Sequence, residues 1–164
     1  MKNIKYVLAA ATVALALTAC QKEEAAPVED EAAVALTAPA KEDDAGWRVY
    51  LQEVVRQNMG EISNSPFLYY LPPETDPEFA DKYDRQVKSA TEAMGRGVSS
   101  GNLLAFGSSA SAKMAELIET AFTGVDADSL KGVRVLFIGD AAENERVKAI
   151  VSPTGAEYVF VEAK

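Results

Sequence analysis

The run Phe106-Gly107-Ser108-Ser109-Ala110-Ser111-Ala112, together with Asp140 further along, holds the side chains best placed to do chemistry. Hydroxyls at a strand-to-helix turn sit beside free backbone N–H groups, a setting that suits a phosphate or a carboxylate. Ser108, Ser109, Ser111 and Asp140 are therefore the candidate ligand-binding residues. Stronger motifs are missing. The run has one glycine where a dinucleotide-binding loop needs three, and no Lys-Ser/Thr pair at P-loop spacing. Gly-x-Ser-x-Gly is absent, and the chain has no histidine to activate a serine. Asp126-Ala127-Asp128 opens like an EF-hand loop, but Leu130 and Lys131 fall where an oxygen ligand and the turn glycine belong.

The lack of histidine excludes Ser-His-Asp and Cys-His nucleophile systems and an imidazole pH switch. A single cysteine, Cys20, excludes an internal disulfide and a Cys-based zinc site. No cofactor or metal is expected, no catalytic residue is assigned, and the balance is against an enzyme. Net charge is −9, spread over both halves of the chain beyond its start. Residues 21–44 hold two lysines against eight acids, and residues 45–164 hold 12 basic and 17 acidic side chains. Phosphate backbones would be repelled, so nucleic acid is not an expected partner.

The first 20 residues carry a different signal. Lys2 and Lys5 precede a mostly apolar run from Tyr6 to Ala16, which ends on Leu17-Thr18-Ala19-Cys20. A charged start, a short apolar core and small residues at the cut describe a secretory signal, too short for a comfortable membrane span. The ending resembles the lipobox of bacterial lipoprotein precursors. The resemblance covers residues 1–20 and implies cleavage of residues 1–19 and lipidation of Cys20. Gln21 stands where an aspartate would resemble an inner-membrane retention signal. The resemblance therefore implies lipid anchoring in the outer membrane, facing the periplasm.

Residues 20–44 read as an acidic, disordered tether, rich in alanine and proline and without aromatics. As a flexible coil, residues 21–44 span about 25–30 Å root-mean-square. Residues 45–164 read as one α/β domain. Asp43-Asp44 open a helix whose apolar face is Trp47, Tyr50, Leu51, Val54, Val55 and Met59. Phe67-Leu68-Tyr69-Tyr70-Leu71, closed by Pro72-Pro73, is an edge strand or an extended lid. Its aromatics cannot all face one side, so Phe67, Tyr69 and Tyr70 are the candidate partner contacts. Asp76-Pro77 predicts a second helix start, with Phe79, Tyr83, Val87, Ala90 and Met94 inward.

Beyond the loop of residues 95–101 the pattern alternates. Apolar runs at 103–106, 133–138 and 158–161 are separated by helical stripes at 110–122 and after Asp140. Asp140 and Glu143 have capping-box spacing. This βαβαβ order predicts a small three-layer domain with a parallel sheet, preceded by two amphipathic helices. Two functional expectations follow. The first is a tethered domain that binds a protein partner, an envelope accessory or immunity-type factor, its acidic surface suiting a basic partner. The second is a small anionic-ligand site, or weak enzyme, at Ser108, Ser109, Ser111 and Asp140, beyond the carboxyl ends of the strands.

Overall fold

The computed structural model describes residues 36–164. The expected signal sequence, Cys20 and the tether up to residue 35 lie outside the described residues. The elements are α1 (Asp44–Gln57), β1 (Phe67–Leu71), α2 (Phe79–Arg96), β2 (Leu103–Ser108) and α3 (Ser111–Phe122). They continue with β3 (Arg134–Gly139), α4 (Ala141–Val151), a 3₁₀ turn (Ser152–Thr154) and β4 (Glu157–Glu162). All strand pairs are parallel, in the order β1-β2-β3-β4. The expected α/β class and parallel sheet are present, and residues 67–71 join the sheet as an edge strand.

Side chains alternate between two cores. Tyr69, Leu71, Leu104, Phe106, Val135 and Phe137 pack with α2, α3 and α4 on one face. Leu103, Ala105, Leu136, Ile138 and Tyr70 pack with Trp47, Leu51, Val54 and Val55 of α1 on the other. β2 and β3 are buried on both faces, which is why they read as unbroken apolar runs. Register aligns Tyr69 with Phe106, Phe106 with Phe137, and Phe137 with Phe160, so one aromatic row crosses all four strands. Tyr69 stacks on Phe106 at 4.8 Å between centroids, and Phe137 on Phe160 at 5.8 Å. A slip of one residue would move every ring to the opposite face.

The helix starts differ in kind. At α1 the Asp43 carboxylate accepts from Gly46 N at 2.9 Å, as the sequence predicts. At α2 the turn around Asp76-Pro77 forms, with Asp76 Oδ1 accepting from Glu78 N, but regular helix begins at Phe79. At α4 the Asp140–Glu143 capping box does not form. The Asp140 side chain makes no cap bond, and Glu143 pairs with Arg146 instead.

The expectation of a tether running to residue 44 is corrected at its end. Residues 36–43 belong to the folded body and run as a strap from the end of β4 to the end of β1. Leu36 and Ala38 pack on the α1-side core, and Ala38 N donates to Lys164 O at 2.9 Å. Trp47 Nε1 donates to Ala40 O at 3.1 Å, and Thr75 Oγ1 bonds the Glu42 carboxylate. The strap has no helical or strand period, so its apolar residues were invisible as a core contribution.

Where α1 crosses β2, its approach depends on one missing side chain. A Cβ on Gly107 would lie 2.3 Å from Leu51 Cδ2, and Leu51 is fully buried. Gly107→Ala is expected to lift α1 off the sheet and cost about 1–3 kcal/mol. Urea unfolding followed by Trp47 fluorescence checks this; a midpoint equal to wild type would contradict the packing.

Candidate functional site

The turn after β2 is engaged in structure. Ser108 is 1% exposed, and its hydroxyl donates to Leu71 O and accepts from Ala110 N, both at 2.8 Å. It ties the end of β1 to the end of β2 and starts the turn into α3. Ser111, also buried, accepts from Asp140 N at 2.7 Å and ties α3 to the end of β3. Ser109 is half-buried and Asp140 is exposed. The four candidates thus come to one end of the sheet, but the two buried hydroxyls already have protein partners.

Strand order leaves this end without a switch point among the described residues. Ligand clefts in open parallel sheets form where successive crossovers leave in opposite directions. In the order β1-β2-β3-β4 every crossover leaves the same way, so adjacent turns stay together. The strap of residues 36–43 bonds Lys164 beyond β4 and Thr75 beyond β1.

The partner-contact candidates separate. Phe67 is 49% exposed and borders a hollow of about 210 Å³ with Ala93, Arg96 and Leu104. Tyr69 is corrected to a core residue, in the aromatic row facing the helices. Tyr70 is likewise mostly buried, because its ring fills the α1-side core at the open edge of the sheet. Its hydroxyl donates to Asp44 Oδ1 at 2.9 Å.

Tyr70 marks a site that no single stretch of sequence announces. Between α1 and α2, along the open edge of β1, lies a cleft of about 330 Å³. Leu68, Tyr70 and Pro72 form its floor. Arg48 and Gln52 come from α1, and Lys82, Arg85 and Gln86 from α2. The Arg48 guanidinium lies 4.8 Å from the Tyr70 ring centroid and donates through Nε to Asp44 at 2.9 Å. Lys82 pairs with Asp76 at 2.7 Å and Glu78 at 3.2 Å. Arg85 is exposed and forms no ion pair among the described residues. Three cations and two amides line the cleft; acids at its border pair with Arg48 and Lys82, which leaves Arg85 as the cation without an ion pair among the described residues. The signal available in sequence was Lys82, Arg85 and Gln86 on one side of α2; Arg48 joins them only through the fold.

The hydrogen bond from Arg48 holds the Asp44 carboxyl below its usual 3.8, with that from Tyr70 acting the same way. Burial, and then the bond to Asp44, pushes the Tyr70 hydroxyl well above its ordinary range. Among the described residues no cluster of acids is placed to hold a metal ion, and no helix is long and apolar enough to cross a membrane. Comparison of the chain with protein-family models, curated proteins and solved structures finds no match.

Two outcomes test this account. Ser108→Ala removes the partner of two buried backbone groups and is expected to cost about 1–3 kcal/mol in chemical denaturation. A Ser108→Ala protein as stable as wild type would return the hydroxyl to the list of free ligand groups. Asp44 has a depressed folded pKa, so its contribution is present above 3.8 and is lost as pH falls through the folded value. The stability gap between wild type and Asp44→Asn is therefore expected at pH 6 and closes on acidification below the ordinary carboxylate range. A gap that persists unchanged in acid contradicts the Asp44–Arg48–Tyr70 arrangement.

Proposed function

We propose that the chain is a lipoprotein of the bacterial cell envelope, anchored through Cys20 in the outer membrane and facing the periplasm. Its α/β domain binds a protein partner at the open edge of β1 and does not turn over a substrate. The resemblance of Leu17-Thr18-Ala19-Cys20 to a lipobox supports the anchoring. The single observation that carries the binding half is the β1-edge cleft. It is open, local in charge, and built from three elements held by buried packing. The absence of histidine and the engagement of Ser108 and Ser111 in backbone ties favour binding over catalysis.

Anchoring is read by fractionation. Wild-type protein is expected in the outer membrane with a palmitate label, and Cys20→Ala in the soluble fraction without one. An unlabelled wild type removes the lipid. Binding is read by a photo-crosslinking residue at Gln86 and, as control, at Lys148 on the exposed side of α4. One dominant envelope protein captured from position 86 and not from 148 is expected. Equal capture from both positions, or none from either, overturns the site.

A further inference from the structure

We infer that the open edge of β1 takes an extended segment of alternating acidic and apolar residues, added to the sheet as a fifth strand. This rests on the partner-binding reading above and names the chemistry of the partner.

Backbone parity leaves β1 with a free ladder edge. Arg134 N donates to Asn102 O, so in the parallel β2–β3 ladder the even-numbered residues of β2 face β3. The odd-numbered residues then face β1, and the register of Phe67 with Leu104 turns Phe67, Tyr69 and Leu71 toward them. Leu68 and Tyr70 are left with N–H and C=O directed away from the sheet. These are the two β1 residues whose side chains floor the cleft. A strand docked there finds two donors and two acceptors in ladder geometry, the general mode of strand addition.

Charge selects among the segments that could add to this edge. Side chains of an added strand alternate between the two faces of the sheet. Side chains directed into the cleft meet Arg48 from α1 and Lys82 and Arg85 from α2. Asp44, Asp76 and Glu78 already engage two of these cations, so an incoming carboxylate exchanges with them, while Arg85 offers an unshared charge. On the other side they meet Phe67 and the hollow beside Ala93 and Leu104, mainly apolar, whose one cation, Arg96, is paired with Glu92. Acidic toward the cleft and apolar toward the hollow beside Phe67 is the pattern that fits both.

The opposite edge does not offer the same site. β4 is bounded by Glu157 and Glu162, which repel an acidic strand, and Lys164 O at its end is taken by Ala38 N. Pro72 and Pro73 end the ladder at β1, Pro72 having no N–H to donate, so the docked segment is short. The overall charge of the chain favours a basic partner; the unshared charge of Arg85 is the local exception.

The test uses residues 20–164 without lipid and a synthetic hexapeptide of alternating glutamate and valine. NMR titration is expected to move the amide signals of Leu68 and Tyr70 first. Arg85→Glu, at an exposed position, is expected to weaken binding at least tenfold while leaving the melting temperature unchanged. A lysine–valine peptide is expected not to bind. The glutamate–valine peptide is also made N-methylated on either alternate set of amides, and one of the two forms is expected to lose binding. No shift at millimolar peptide, equal binding of the lysine peptide, or indifference to both methylation patterns each overturns the acidic strand. Capture of a partner from position 86 alongside any of those results leaves the partner reading standing and removes only this inference.

Discussion

Uniform winding is the constraint on which the rest of this domain depends. Parallel strands in sequential order, with crossovers of one hand, send α2, α3 and α4 to the same side of the sheet. The other face of β2 and β3, carrying Leu103, Ala105, Leu136 and Ile138, would be left to water. Exposing four such side chains would cost several kcal/mol, at about 25 cal/mol per Å² of apolar surface. A helix from outside the winding therefore has to cover them, and α1 does so. Its closeness is set by Gly107, and its N-terminus is fixed by Asp43 and by the strap that leads into it.

The same winding decides where a binding surface arises. Turns that leave in one direction give no divergence at the carboxyl ends, so serines with suitable chemistry become ties between neighbouring strands. The edge between α1 and α2 is a different place. There one helix from inside the winding and one from outside meet over a strand with a free side, and their polar flanks face each other across it. Concavity comes from the layer arrangement, and its charge comes from the flanks of two amphipathic helices.

Much of the fold was legible because its determinants are local. The β-branched and aromatic run Arg134–Gly139, the stripe from Met114 to Phe122 and the Asp43 cap each carry their signal within a few residues. What was not legible depends on pairs far apart in the chain. Ser108 reaches Leu71 and Ser111 reaches Asp140, so a hydroxyl that looks free in sequence is engaged in the fold. Tyr69 is a core residue only once its register with Phe106 is known, and Tyr70 only once α1 is laid over it. Glu143, at capping distance from Asp140, had a nearer cation in Arg146. The cleft needed Arg48, Tyr70 and Arg85 from three separate elements.

The strap has a mechanical consequence. The described body begins at Leu36, and a pull arriving along the chain from that side meets the Ala38–Lys164 hydrogen bond first and the Trp47–Ala40 bond next. These yield one at a time, like a zip, whereas the parallel strands beyond them would have to shear together. The strap is thus a fuse in series with the sheet: tension frees residues 36–43 before it reaches the layer that holds α1 and the β1 edge in place.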